Sequence, residues 1–374
     1  MRAVVVDRFG GPLRVAELPA PACPPHGAVV RVEATGVCRS DWHAWQGHDD
    51  GVSLPHVPGH ELAGVVHEVG DAVRDWRPGQ RVTVPFVCAC GECAACAAGE
   101  PQVCERQTQP GFTHAGSFAE LVAIDHADLN LVALPDALDA VTAASLGCRF
   151  ATAYRALHVH GRVAPGQWVA VFGCGGVGLS AVQIAVAAGA RVVAVDVAPS
   201  AREAAVDLGA AAAIDPGAVG AVGGPGNPGD PRRAPSPDVL GAAVVEASGG
   251  GVHVGIDALG DPATAAASIL ALRRRGRHVQ VGLLLAEHAR PALPMDRVVA
   301  WELEIYGSHG MGASEYPAML ERIARGELDP SRLVGRTVPL EEAPAALADL
   351  GRPGAAGAGM TVVVVPRADG ATRP

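Results

Sequence analysis

At 374 residues the chain is long enough for two domains with separate cores, and 49% hydrophobic against 18% charged residues excludes a disordered polypeptide. A formal net charge of -10 excludes a nucleic-acid footprint, and the basic run Arg273-Arg274-Arg275 reads as a solvated helix end. No apolar run can span a bilayer and Asp7 arrives too early for a secretory signal core, so a cytoplasmic protein is expected. In that reducing setting nine cysteines point to metal binding or catalysis rather than disulfides.

In chain order, Val-rich segments at residues 3–6, 29–32, 62–69, 81–84 and 118–124 predict short strands separated by turns such as Arg77-Pro78-Gly79-Gln80. Short strands with few helical patterns predict an irregular β-barrel. Between Gly36 and Gly70 the chain gathers Cys38, Asp41, His43, His60 and Glu61. A thiolate and an imidazole suit zinc, but Cys38 and His60 leave the ion open and need a third ligand from elsewhere, for which Cys148 is the candidate. Taken singly, Cys38 also reads as a small buried hydrophobe and His60 as a satisfied core histidine.

The sharpest local pattern is Cys90-x2-Cys93-x2-Cys96-x7-Cys104, in a lobe at about residues 88–106. Four thiolates at this spacing can wrap one zinc tetrahedrally and leave no position for a substrate, which makes the site structural. The lobe has few large apolar residues and is expected to loosen without metal. Cys88, just before the cluster, is a competing ligand.

From residue 151 the pattern turns helical and then changes character. A buried strand at 167–172 runs into Gly173-Cys174-Gly175-Gly176-Val177-Gly178, an Ala-rich helix to about 188, and a second strand ending in Asp196. Gly173 allows the tight turn, Gly175 lets the backbone approach a pyrophosphate, and Gly178 lets helix and sheet pack closely, while the helix N-terminus around Gly176 favours phosphate charge. Asp196 would accept hydrogen bonds from the ribose and repel a 2′-phosphate, favouring NAD over NADP; a purely structural Asp196 is the alternative. Helices at 200–208, 239–248 and 263–272 alternate with strands at 212–214, 252–258 and 276–283, predicting a doubly wound parallel sheet. A Gly- and Pro-rich insert at about 216–237 has little to bury and reads as a mobile surface loop. Residues 298–309 predict a further strand pair closing this sheet, 316–325 and 341–347 predict helices, and 360–365 a terminal strand returning to the first domain. Residues 366–374 are expected to fray.

Gly59-His60-Glu61-x2-Gly64-x5-Gly70-x2-Val73 fits the zinc signature of the zinc-dependent medium-chain alcohol dehydrogenases, and Gly36-Val37-Cys38-Arg39-Ser40-Asp41-Trp42-His43 resembles that family's first-ligand segment. The resemblance covers nearly the whole chain and implies a GroES-like catalytic domain at 1–150, a Rossmann domain at 151–305 and a C-terminal return at 306–374. It implies two zinc ions per subunit, a catalytic one on Cys38, His60 and Cys148 and a structural one on Cys90, Cys93, Cys96 and Cys104, with NAD as cofactor. Asp41 would orient His60, and Glu61 would be the carboxylate able to approach the metal or a purely structural neighbour. Ser40 and His43 would relay the proton away from a zinc-bound alkoxide as hydride leaves for the nicotinamide, although His43 also reads as an exposed loop histidine. Arg39 resembles a pyrophosphate contact, and Thr152 and Val177 match positions near the nicotinamide; Gly359-Met360-Thr361 departs from relatives that place an arginine there. Trp42, Trp45, Phe86 and Phe112 are candidates for the substrate pocket. The implied partner is a small alcohol or carbonyl compound, with no nucleic acid or membrane, and a homodimer or homotetramer is expected. A cysteine as third ligand resembles the alcohol rather than the polyol branch; a polyol or amino-alcohol dehydrogenase and an inactive zinc- and NAD-binding sensor are the alternatives.

Overall fold

Short Val-rich runs broken by Gly and Pro can pair with distant runs but cannot continue as helices, and the N-terminal part of the chain folds accordingly. The computed structural model describes residues 1–219, 235–352 and 359–366. Its first strands are β1 (Arg2–Val6), β2 (Leu13–Glu17), β3 (Ala28–Gly36), β4 (Glu61–Val69), β5 (Arg81–Thr83), β6 (Leu121–Ile124) and β7 (Val132–Ala133). Then come β8 (Trp168–Phe172), β9 (Arg191–Val195), β10 (Ala212–Ile214), β11 (Val252–Asp257), β12 (Leu272–Gln280) and β13 (Glu304–Gly307), and last β14 (Val334–Pro339) and β15 (Met360–Val364).

The chain divides into two compact units, one made of Met1–Ala151 with the described residues from Gly310 onward, the other of Thr152–His309. In the first, β1 and β2 form an antiparallel pair, and a seven-stranded sheet runs β14-β15-β3-β4-β5-β7 with β6 also on β3. Register shifts between Val29 and Val30 and between Val32 and Ala34 bend β3 against β4, as bulges do when a sheet curls. β15 pairs antiparallel with β3, Val363 opposite Thr35, so the end of the chain completes the sheet that carries Cys38. Val4, Val30, Leu62, Val82, Phe118, Ile124 and Val363 fill the core beneath it.

The second unit has a six-stranded parallel sheet in the order β10-β9-β8-β11-β12-β13. The order reverses between β8 and β11, the switch point beside which such sheets bind ligands at their carboxyl ends. Ala170, Phe172, Val193, Val244, Ile269 and Leu272 are buried within this unit's core.

Three expectations change, and the first is that Arg273-Arg274-Arg275 lies in β12 and not at a helix end. Residues 298–301 are not strand; they lie in the Met295–Trp301 helix, where Arg297 stacks 3.8 Å and Arg274 5.1 Å from the Trp301 ring centroid. A short β-branched run has no periodicity to separate the two states, and this packing decides it. Strands β2 and β14 carry little sequence signal. The insert is narrower than expected: Pro216–Val219 is a short helix and Pro237 opens the Pro237–Ser248 helix behind a Ser236 cap. The rest of that segment, 220–234, and the tail beyond residue 366 lie outside the described residues. No described helix is long and apolar enough to cross a membrane.

Candidate metal centres and dinucleotide cradle

Cys38 caps the Arg39–Gln46 helix where β3 ends, its backbone extended at φ -113° and ψ 154°. One turn on, the buried Asp41 carboxylate ties three groups together. Its Oδ2 accepts from the Cys38 N–H at 3.0 Å, and its Oδ1 accepts from the Gly59 N–H at 3.0 Å and from His60 Nδ1 at 2.8 Å. The carboxylate thereby fixes the tautomer of His60 and turns Nε2 inward as a bare acceptor. His60 Nε2 is buried and has no hydrogen-bond partner, an arrangement that is costly unless something else binds the lone pair.

The ligand atoms of Cys38, His60, Glu61 and Cys148 lie within 4.8 Å of one another. Sulfur and nitrogen at tetrahedral zinc distances of about 2.3 and 2.0 Å stand roughly 3.5–3.8 Å apart, so the donor set fits such an ion. A hydrogen bond from Cys148, opposed by burial and assisted by His60, holds Cys38 well below the ordinary thiol range, and the same bond drives Cys148 well above it.

Cys148 arrives on a π-helical turn, Leu146–Phe150, of the kind that recurs at functional sites because it re-aims one side chain. Tyr316, fully buried, donates to the Leu146 and Gly147 carbonyls at 3.1 and 3.3 Å and pins that turn. Arg149 then faces Glu61: its backbone N–H and Nε donate to Oε1 at 3.0 and 2.9 Å, and its Nη2 pairs with Oε2. Burial pushes the Glu61 carboxyl up and Arg149 opposes the shift. A Cβ on Gly36 would lie 2.3 Å from Glu61 Oε2 and 2.7 Å from Arg149 Nη2, so the bare backbone at the end of β3 makes room for this pair. Neither Arg149 nor Tyr316 was anticipated. Arg149 had a signal, since a fully buried Glu61 requires a cationic partner; Tyr316 had none.

Phe86 and Phe112 flank the His60 ring at centroid distances of 6.1 and 5.2 Å, while Trp42 and Trp45 pack on the barrel core and Trp45 Nε1 donates to Gly11 O at 2.8 Å. Ser40 Oγ lies 3.8 Å from Cys38 Sγ. His43, half-buried on the same helix, is depressed first by burial and then by His48 and Arg39. Arg39 stands 5.5 Å from the Trp42 ring centroid, an exposed cation over an aromatic face.

In the lobe, Cys90, Cys93, Cys96 and Cys104 bring their sulfurs within 4.8 Å of one another. Cys93 lies 3.5 Å from Cys96 and 3.7 Å from Cys104, which is 3.5 Å from Cys90. These spacings are close to the edge of about 3.8 Å of a tetrahedron with 2.3 Å zinc–sulfur bonds. The Glu92 N–H helps hold Cys90 down at about 6, whereas burial pushes Cys104 up to about 12. The lobe's packed centre is the cysteines themselves with Ala89 and Ala95. Cys88 is not among them: it is buried in the barrel core and donates to Pro85 O at 3.6 Å.

In the second unit, Gly173 has φ +86° and a Cβ on Gly178 would meet Gly173 O at 1.8 Å, which enforces glycine at both. Nothing lies within 4 Å of a Cβ built on Gly175, the cap of the Gly176–Ala187 helix, leaving open space at its positive end. Val177, in the first turn, is half-buried. Asp196 follows β9 and accepts from the Cys174 and Ala198 N–H groups at 2.6 and 2.8 Å. Thr152 Oγ1 is buried without a hydrogen-bond partner.

Residues 24–136 match the family described as "Alcohol dehydrogenase GroES-like domain" and residues 176–325 that described as "Zinc-binding dehydrogenase". An alcohol dehydrogenase of Geobacillus stearothermophilus is 34% identical over 347 residues, 91% of this chain and 93% of its own. A second from the same organism is 40% identical over 221 residues, 58% of this chain and 64% of its own, a match to less than two thirds of that relative. The structure of alcohol dehydrogenase TADH from Thermus sp. ATN1 superposes with a TM-score of 0.84 at 31% identity, covering 98% of this chain and 100% of that one. Two family domains in order and a relative matched along nine-tenths of both sequences place the chain in one family: it belongs to the zinc-type medium-chain alcohol dehydrogenases.

Proposed function

We propose that this protein is a zinc- and NAD-dependent alcohol dehydrogenase that interconverts a primary or secondary alcohol with its aldehyde or ketone. The observation that carries the reading is the buried, unpartnered Nε2 of His60 aimed among two thiol sulfurs and a carboxylate. Cys38, His60 and Cys148 would hold a catalytic zinc, and the lobe's four cysteines a structural one. When bound, zinc supplies Lewis acidity to the alcohol or carbonyl oxygen and NAD supplies the hydride acceptor.

The remaining work belongs to the chain. Asp41 keeps the His60 lone pair directed inward, and Phe86 and Phe112 shield that ring from water. Arg149 holds Glu61 beside the sulfurs, within range to exchange places with a ligand. Ser40 would take the substrate proton and His43, one turn along the same helix, would pass it outward. Gly173, Gly175, Gly176 and Gly178 would admit the pyrophosphate, Asp196 would bind the ribose, and Arg39, Thr152 and Val177 would contact the rest of the cofactor. Arg202 could instead attract a 2′-phosphate, but it is occupied by the Asp196 and Val197 carbonyls at 2.8 and 2.9 Å and by Asp215 at 3.0 Å. That supports NAD over NADP.

The test combines metal analysis with an alcohol panel on one preparation. Two zinc equivalents per chain and NADH formation are expected; two zinc ions without turnover of any alcohol would favour a sensor and defeat the proposal.

A further inference from the structure

The Arg39–Gln46 helix ends in a way that pairs two histidines. Gly47 adopts φ +77° and its N–H donates to Ala44 O at 3.1 Å, while the His48 N–H donates to His43 O at 3.0 Å. This is the paired-bond ending in which the residue after the glycine folds back over the residue five positions earlier, usually as an apolar contact. Here the contact is polar: His43 Nδ1 and His48 Nδ1 lie 2.9 Å apart, so one ring donates and the other accepts. His43 is half-buried and His48 exposed. The edge of Trp42 packs on both rings, with centroids at 5.1 and 5.8 Å.

We infer that His48 is the outer member of a two-histidine proton relay, receiving the proton from His43 and delivering it to solvent. The inference rests on the proposed dehydrogenase reading, in which the proton reaches His43. A proton arriving at His43 Nε2 releases the Nδ1–H proton to His48 Nδ1, and His48 loses its Nε2–H to water. One proton enters, one leaves, and no electrons move; exchange with water restores the starting tautomers, and the reverse sequence serves carbonyl reduction.

The surrounding charges favour outward flow. Arg39 and His48 oppose protonation of His43, and Cys38 favours it. Asp41, on the same helix, is committed to His60. Asp349, on the Ala343–Asp349 helix packed against this one, is engaged by Arg336 and Arg352. Of the two acids after His48, Asp49 accepts the Gly51 N–H and Asp50 is exposed.

The experiment compares holoenzyme with His48→Gln and His43→Gln. In His48→Gln, kcat at acidic pH should fall about tenfold, less than the roughly 10²–10⁴ of a fully positioned proton-transfer group because water partly replaces the exposed ring. Added imidazole should restore it. By ¹⁵N NMR of labelled histidines, His43 should titrate at higher pH once the ring that opposes its protonation is gone, carrying the acidic limb of the rate profile with it. A rate loss in His43→Gln with an unchanged profile and unchanged His43 titration in His48→Gln would overturn His48 and leave the His43 relay standing. If neither variant slows turnover, the relay itself fails and His48 with it. Should His48→Gln misfold, independent titration of the two rings in the wild-type protein would overturn the inference.

Discussion

The four-sulfur lobe and the cluster at His60 use similar donor atoms but obtain them differently. Cys90, Cys93, Cys96 and Cys104 come from one short segment, and their sulfurs are each other's nearest packing partners. Cys38, His60 and Cys148 come from the end of β3, the start of β4 and a π-helical turn, and residues outside the set hold them: Asp41 binds Cys38 and His60, Tyr316 pins the turn that carries Cys148, and Arg149 fixes the neighbouring Glu61. A metal ion could therefore rebuild the lobe locally, whereas the second cluster depends on the barrel. A closed site stabilises; an open one with a rigid frame can bind and release a substrate.

The largest effect expected from breaking this contrast is in the lobe. Cys93→Ser should lose one zinc equivalent and make the segment around residues 88–106 the first site of limited proteolysis, because ion binding supplies the lobe's folding energy. Chelation of the wild-type protein should do the same, and equal resistance with and without chelator would show that the lobe stands without its ion. Next comes the frame of the other cluster. Arg149→Met leaves Glu61 buried without its cation and should cost about 3–5 kcal/mol in global unfolding by denaturant; a much smaller loss would mean Glu61 finds another partner. Asp41→Asn keeps the shape but removes the charge that orients His60. It should weaken binding of the second zinc about 10- to 100-fold in competition with a metallochromic chelator while leaving lobe zinc unchanged. The smallest effect should lie away from both clusters: Asp196→Gly should erode the preference for NAD over NADP, measured as the ratio of kcat/KM values, with zinc content constant. An unchanged ratio would assign Asp196 to its bonds with Cys174 and Ala198 alone.

Legibility followed the distance over which each feature is assembled. The Cys90 to Cys104 spacing and the Gly173 to Gly178 loop are local, and each constrains its own geometry within a turn or two. His43 and His48 are equally local, but their pairing depends on recognising that Gly47 ends the helix in a left-handed conformation. The Glu61–Arg149 ion pair spans 88 positions, and Tyr316 reaches back 170 to hold the Leu146 carbonyl, so neither could be read from neighbours in the chain. The helix at Met295–Trp301 was missed for the opposite reason: its Val298-Val299 pair looks like strand until two arginines stack on Trp301.

The amino-acid sequence by itself determined the donor types, the two-part division of the chain and the glycines without which the Gly173 to Gly178 loop cannot close, because these follow from spacing and backbone sterics. Only the tertiary structure brought Cys148 beside Cys38 and His60, set Arg149 against Glu61, and turned Phe86 and Phe112 rather than Trp42 and Trp45 toward the imidazole. Those outcomes depend on strands and turns from distant parts of the chain packing into one interior, where an unpaired charge or lone pair is too costly to persist.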